Sequence, residues 1–414
     1  MQEQSRYSVG IDIGTTTVRC VVGHVDSATG APKIIGVGQA ANTGMRKGTV
    51  SHLNGPAAAI DAALGEAERM SGHQVEVATL SVNGSHILST KSDGMIAVSS
   101  QNQEVTVDDV ARLEEVATIG KVPANREILE IVPHAYRLDG QDNIKDPVGM
   151  TGTRLEIHAN IVSGLLPHIA NVQKAAEMAK VDSRNVVPAV LASAQAVLTE
   201  SQIENGVAVI DLGGSTTGVA VFEEGDLQYV GVVPVGGINV TNDLAIGLKV
   251  DPELAEVVKL EHARLDRDGA SEQVEVKHGD QTLVFDRTDV DEIVEARYEE
   301  IFEAVARELK RAGRAGKLPS GVVLVGGGAN IRGIVEFAKE QLGVAARISK
   351  PTGYAGVSEQ AERPEYAAVI GLMLMDEVGG PSQVSASRSK SSDGTSGVMK
   401  KAGGLLSSLM DKFR

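Results

Sequence analysis

The sequence predicts an α/β protein with two core-forming lobes, a compact α+β insert and a separate amphipathic helix at its C-terminal end. Three observations predict it. The chain has 414 residues, more than a single hydrophobic core usually serves. Short β-branched runs alternate with segments of helical spacing, as in a sheet covered on its faces. One motif is also written twice: "GIDIGTTTVRCVV" at residues 10–22 returns as "VIDLGGSTTGVAVF" at residues 209–222.

The repeat carries the chemistry. In each copy an apolar strand ends in an aspartate, Asp12 or Asp211, followed by Ile or Leu and a glycine, Gly14 or Gly213. Small polar residues follow: Thr15, Thr16 and Thr17 in the first copy, Gly214, Ser215 and Thr216 in the second. A second apolar run then resumes, so each copy reads as a β-hairpin with a tight turn. Such turns leave backbone N–H groups unpaired, and clustered N–H groups bind anions, phosphate above all. An aspartate beside them does not face phosphate directly but holds Mg²⁺ through water. One such turn is commonplace; two with Asp in the same place predict a site.

Bulk composition narrows the class. Hydrophobic residues make up 42% and charged residues 23%, as in globular proteins. Aromatics are 3% and Trp is absent, so the cores must be aliphatic. A net charge of −16 argues against general nucleic-acid binding. The single cysteine, Cys20, excludes an internal disulfide framework, fits a reducing cytoplasm and reads as a buried packing residue on its strand. The polar start "MQEQSRYSVG" predicts no signal peptide, and no apolar run is long enough to span a membrane.

The remaining elements follow in order. Residues 7–25 are the first hairpin, and "KIIGVGQA" at 33–40 is a third strand. "GPAAAIDAALGEAERM" at 55–70 has helical spacing with Pro56 near its start, and "VEVATLSVNG" at 75–84 is a strand. From about 85 to 164 the texture changes to one helix, "VTVDDVARLEEVATIG", among strands with polar turns, which predicts the insert. "PHIANVQKAAEMAK" and "VVPAVLASAQAVLTE" restore the alternation before the second hairpin.

Residues 241–311 form another small unit. "VEVKHGDQTLVF" reads as a hairpin around Gly-Asp. Across 288–311, Val290, Ile293, Val294, Ile301, Phe302, Val305 and Leu309 share one face of a core-packing helix. "GVVLVGGGANIRG" at 321–333 is a strand, a glycine turn and a helix start, and Gly326, Gly327 and Gly328 would let a flat ligand approach the backbone. The chain contains neither a dinucleotide fingerprint nor a P-loop.

The end of the chain differs. "GGPSQVSASRSKSSDGTSG" at 379–397 is a Ser/Gly-rich tether. "VMKKAGGLLSSLMDKFR" at 398–414, wound as a helix, gathers Met399, Leu405, Leu406, Leu409, Met410 and Phe413 on one arc. Lys400, Lys401, Lys412 and Arg414 lie off that arc. A basic amphipathic helix after a tether is expected to lie on anionic membrane lipid. Gly403 and Gly404 weaken the helix, so one copy binds weakly and many copies on one assembly bind firmly. Such a tail suits a protein that polymerises.

The paired Asp-Gly hairpins and the glycine turn resemble the actin/Hsp70/sugar-kinase ATPase superfamily. Its ribonuclease H-like, duplicated fold holds a nucleotide between two similar lobes, one phosphate hairpin from each. Within it the chain resembles the FtsA family of bacterial cell-division proteins over nearly its whole length. The marks are "DPVGMTGTRLEIHANIVSG" closing the insert, "PVGGINVTNDLAIGL" after the second hairpin, and the tether with its terminal helix.

The resemblance implies a layout. Subdomain 1A is residues 1–84, 165–200 and 364–378, and the inserted subdomain 1C is 85–164. Subdomain 2A is 201–240 and 312–363, and 2B is 241–311, followed by the linker 379–397 and the membrane-targeting helix 398–414. It also implies roles. ATP and Mg²⁺ would sit between the two loops, with Asp12 and Asp211 on the metal and Gly326, Gly327 and Gly328 on adenosine. Glu256 and Lys259 of "AEVVKL" match contacts to ribose and adenine. Gln195 of "AQAVL" resembles the actin glutamine that positions the attacking water, and an amide is a poor base, so ATPase activity would be slow at most. Arg297 of "EARYEE" matches a position in the subdomain that receives the acidic FtsZ tail.

The implied function is a protein that polymerises on the cytoplasmic face of the inner membrane, tethers FtsZ filaments at the division septum and recruits later division proteins through the insert. Two departures bear on turnover: "IGTTTV" stands where many relatives have Ser and Lys after Gly-Thr, and Ser215 stands where a third Gly is usual. Both keep small polar residues, so nucleotide binding is expected to survive. A pilus-assembly actin homologue shares the fold and the insert type but predicts no terminal amphipathic helix. A small-molecule kinase would need a further base Asp facing its substrate, and the sequence offers no separate candidate.

Overall fold

The computed structural model describes residues 6–25, 32–266, 273–278, 281–356 and 359–378; the predicted tether and terminal helix lie outside the described residues. In the first lobe, β1 (Arg6–Ile13) and β2 (Thr17–Val25) form the first hairpin, and β3 (Pro32–Ala41) extends it antiparallel. A small tongue follows, β4 (Met45–Arg46) and β5 (Thr49–Val50), then α1 (Asn54–Ser71) and β6 (Val77–Val82), which returns parallel to β1.

The insert comes next: β7 (Leu88–Ala97), α2 (Val107–Thr118), β8 (Arg126–Leu138), β9 (Gln141–Ile144) and β10 (Arg154–Leu165), in a sheet of order β7-β10-β8-β9. Thr106 and Asp109 cap α2 reciprocally, which is the structural basis of its Asp-rich start. The chain re-enters the first lobe through α3 (Leu166–Met178) and β11 (Asp182–Pro188), completing the order β11-β6-β1-β2-β3.

After α4 (Ala189–Val197) and α5 (Glu200–Asn205), the second lobe repeats the plan. β12 (Val207–Leu212), β13 (Thr217–Glu223) and β14 (Asp226–Val233) form an antiparallel meander. Then come α6 (Gly237–Leu248), α7 (Pro252–His262), the hairpin of β15 (Gln273–His278) and β16 (Gln281–Asp286), and the long α8 (Arg287–Arg311). β17 (Val322–Val325) and, after α9 (Ile334–Leu342), β18 (Ala346–Ile348) add parallel strands, giving β14-β13-β12-β17-β18. Each lobe thus has two parallel strands beside a hairpin and a third antiparallel strand, in the same order. The duplication in the sequence is a duplication of topology.

The final helix, α10 (Ala367–Val378), crosses back to the first lobe. It packs so close that a Cβ on Gly371 would fall 1.7 Å from the carbonyl oxygen of Ala192 in α4, and one on Gly10 would fall 2.4 Å from that of Val369. The cores are aliphatic, as composition requires: Ile11, Val21 and Leu80 in the first lobe, Ile210, Val219 and Leu324 in the second, Leu113 and Ile157 in the insert. Cys20 is fully buried, and burial pushes its thiol up. On α8 the predicted apolar face is buried apart from the partly buried Ile293, and Tyr298 joins it.

The insert touches both lobes. Ser89 Oγ accepts the Val230 N–H at 3.0 Å, and Lys145 Nζ meets Asp226 Oδ2 at 2.6 Å, both partners lying on β14 of the second lobe.

Candidate functional site

The two hairpins have the same inner geometry. Gly14 N–H donates to Thr17 O at 3.1 Å, and Gly213 N–H donates to Thr216 O at 2.9 Å. A Cβ at either glycine would collide with that same carbonyl, at 2.6 and 2.8 Å. The glycine after Ile or Leu is therefore required by the turn itself. The loop tips meet: Ser215 Oγ donates to Thr15 Oγ1 at 2.7 Å, and a Cβ on Gly214 would lie 2.8 Å from Thr16 Cγ2. Ser215, the departure from three glycines, joins the two loop tips by its hydroxyl.

Behind the tips lie the two aspartates. Burial raises the Asp211 carboxyl to about 6; the Ser193 hydroxyl, 2.8 Å from Oδ2, opposes this, and the charge of Asp12 adds to it. Burial also raises Asp12, against the pull of Arg19 and a hydrogen bond from Ser81. Arg19 stands directly opposite Asp12 in the β1–β2 register, and its charge acts on both carboxylates. Its guanidinium carbon lies 5.3 Å from the centre of the Tyr366 ring.

Two carboxyls with raised pKa values, the charge of Asp12 acting on Asp211, are a place for a cation. Among the described residues no group of three or more His, Cys, Asp or Glu is arranged to hold a metal. Two carboxylates beside N–H-rich loops fit a Mg²⁺ held mainly by water and phosphate.

The glycine turn belongs to the same place. Gly326 has φ +83°, and a Cβ there would lie 2.5 Å from Asp211 Oδ1. Gly328 backs onto Leu212, and its carbonyl accepts the Tyr298 hydroxyl at 3.0 Å. Gly327 has open space where a Cβ would be, so it is the glycine whose face is free for a ligand.

Lys259 and Glu256 of α7 also adjoin the second loop. Lys259 Nζ lies 2.6 Å from Glu256 Oε2 and 2.9 Å from Thr241 Oγ1. It approaches the Gly237 carbonyl at 3.4 Å, and Gly237 N–H donates to Gly213 O at 3.0 Å.

Two predicted residues stand apart. Gln195 is buried in α4 with its side-chain oxygen unpartnered, but the α4 residue that reaches Asp211 is Ser193. Gln195 follows two positions later, about 200° around the helix. Arg297 is not a free cation: its Nε and Nη2 pair with both oxygens of Asp243, at 2.5 and 3.1 Å, and Nη1 pairs with Glu300.

Sequence reasoning missed Arg19, Ser81, Ser193 and Tyr366. Arg19 had a signal, because cross-strand partners share a face of a hairpin and the Asp12 register points to it. The others are brought in by elements distant in sequence.

Comparison with known proteins agrees with this geometry. A family model described as "Cell division protein FtsA" matches residues 208–371, and one described as "SHS2 domain inserted in FTSA" matches residues 84–163. The cell division protein FtsA of Pseudomonas aeruginosa is 33% identical over 376 residues, covering 90% of this chain and 89% of that protein. The one from Bacillus subtilis is 36% identical over 369 residues, covering 88% and 82%.

Among solved structures, a PilM-PilN type IV pilus biogenesis complex aligns with TM-score 0.65 at 16% identity, over 89% of this chain and 98% of that one. MreB5 of Spiroplasma citri bound to ADP aligns with TM-score 0.53 at 13% identity, over 89% and 95%. A MamK double helical filament aligns with TM-score 0.51 at 13% identity, over 90% and 99%. At these identities the likeness establishes the fold, which is actin-like with an inserted subdomain.

Proposed function

The chain belongs to the FtsA family of cell-division proteins, and from that premise we propose that it is an ATP-binding, polymerising adaptor on the cytoplasmic face of the inner membrane. It tethers FtsZ filaments there at the division septum and recruits later division proteins through the insert. The observation that carries the nucleotide part is the meeting of two matched hairpins, each ending in an Asp with a raised pKa, at one cleft.

In this reading the loops at Gly14–Thr17 and Gly213–Thr216 hold the phosphates. Asp12 and Asp211 would hold Mg²⁺ through its waters, and the metal would supply charge neutralisation. Gly327 offers the open face to adenosine, with Gly326 and Gly328 shaping the turn. Lys259 and Glu256 face the ribose side. Gln195 would orient the attacking water only by analogy with the actin glutamine, since Ser193 is the α4 residue that reaches Asp211. Arg297 receives an acidic tail by exchanging Asp243 for it. The membrane part rests on the residue pattern of 398–414.

The test is co-sedimentation with anionic liposomes, with and without Mg-ATP, for the full chain and for a chain ending at Gly397. The full chain is expected to pellet with lipid, more so with ATP, while the truncation stays in the supernatant. Lipid binding by neither form would remove the adaptor reading and favour the pilus-type one, whose fold the chain shares.

A further inference from the structure

The β4–β5 tongue has no role in the reading so far, yet it stands at the mouth of the cleft. Its base is pinned to the first loop: Asn42 N–H donates to Thr16 O at 2.8 Å, and Asn42 Nδ2 donates to Gly14 O at 2.6 Å. Its two turn residues, Lys47 and Gly48, have φ of 50° and 77°, the both-positive pattern of a type I′ hairpin. The tip is backed by the main chain, since a Cβ on Gly48 would fall 2.8 Å from Gly84 N. The tongue is thus held from both ends.

Between the tongue and the second lobe is a cavity of 270 Å³. Arg46 and Lys47 line it from the first lobe and Asn239 and Asn242 from α6, with Thr15 and Ser215 from the two loop tips. No carboxylate lines it among the described residues, in a chain of net charge −16. Among the described residues Arg46 and Lys47 form no ion pair, whereas Lys259 and Arg297 are both paired. The Asn239 carboxamide oxygen accepts the Gly236 N–H at 3.1 Å, which leaves its NH₂ as the free end. Met45, Pro234 and Ile238 give the cavity an apolar wall, and the Ser215 hydroxyl is spent on Thr15; the donors left facing it are the two cations, the two amides and the Thr15 hydroxyl, whose complement is an anion with several acceptor oxygens.

We infer that this cavity takes a phosphoryl group and that Arg46 and Lys47 form a cationic clasp over the end of the phosphate chain, making the tongue the element that distinguishes a nucleoside triphosphate from a diphosphate. The inference rests on the nucleotide reading above. The clasp joins the lobes through the ligand: the cations come from the first lobe and the amides from the second, so a terminal phosphate would satisfy both at once. Free orthophosphate has the same chemistry and is the other source of the group.

The experiment measures dissociation constants of the full chain for Mg-ATP, for Mg-ADP, and for orthophosphate in the presence of Mg-ADP. Wild type is compared with Arg46→Gln, Lys47→Asn and the double variant. Both residues are exposed, and Asn tolerates the positive φ at position 47, so the variants keep the fold. The expected result is a loss of ATP affinity of about tenfold in the double variant, with ADP affinity changed less than about twofold. Loss of orthophosphate affinity with ATP unchanged would also uphold the clasp and make free phosphate its ligand. Equal losses for ATP, ADP and orthophosphate, or no loss for any, would overturn it. If wild type binds neither nucleotide, the nucleotide reading itself fails, and this inference fails with it.

Discussion

The two hairpins have one backbone plan and a different balance of charge behind it. In the first, Asp12 faces Arg19 across the strand pair; in the second, the residue in the same register opposite Asp211 is Gly218. A side chain could not stand there, since a Cβ on Gly218 would lie 2.8 Å from Val190 Cβ. Asp12 therefore has a built-in counter-charge, while Asp211 has a serine hydroxyl and a glycine turn. The turn is the same in both copies, while the charge behind it differs.

Exchanging each aspartate for its amide gives the largest expected effects, and the two exchanges should not behave alike. Asp211→Asn should weaken Mg-nucleotide binding by about 10–100-fold, the cost of losing a group that orients a metal's ligands. The same change should stabilise the ligand-free protein at pH 7.5, by up to about 2 kcal/mol, because the carboxylate is held charged above its raised pKa. Asp12→Asn should stabilise the ligand-free protein less than Asp211→Asn does, since burial raises Asp12 as well but the charge of Arg19 offsets more of it. Denaturant unfolding with and without Mg-nucleotide measures both. Equal stability changes for the two variants would break the asymmetry.

A pH series sharpens the same contrast. The Asp211 carboxyl rises from 3.8 to about 6 on folding, so the folded state binds the extra proton between these values. Its contribution to stability is full below about pH 4 and is lost as pH rises through 6. Lowering the pH from 7.5 to 5 should thus favour ligand-free wild type over Asp211→Asn by about 1 kcal/mol or more. His86 and His134, both held near 4 by burial, pull the other way over this range. The informative quantity is therefore the wild-type minus variant difference in melting temperature, which should change in favour of wild type as pH falls.

The smallest expected effect is at the contact between the loops. Ser215→Gly removes the hydrogen bond to Thr15 and restores a third glycine. Its cost to ligand-free stability should be about 0.5–1.5 kcal/mol or less, with faster nucleotide association in stopped flow. Slower association would show that the bridge prepares the cleft rather than closing it.

The hairpins were legible in the sequence because everything that makes them is local: β-branched strands, a glycine the turn cannot replace, and small polar residues between. Repetition then made the two-lobed plan legible. What stayed hidden is what folding brings from a distance. Tyr366 and α10 come back to the first lobe from the far end of the described chain, and Ser193 reaches Asp211 from another element. Arg297 was legible as a cation, but its pairing with Asp243 was not, because no local spacing joins them. The tongue was missed for a different reason. Its turn is Lys-Gly, whereas the usual signal for a two-residue hairpin is Asn-Gly or Asp-Gly.

The insert leaves the first lobe and returns to it, yet it also grips β14 of the second through Ser89 and Lys145. Mechanically this makes it a strut between the lobes. A separation of the lobes along β14 would shear the Ser89–Val230 and Lys145–Asp226 contacts, so the insert acts as a brace between the two halves of the molecule.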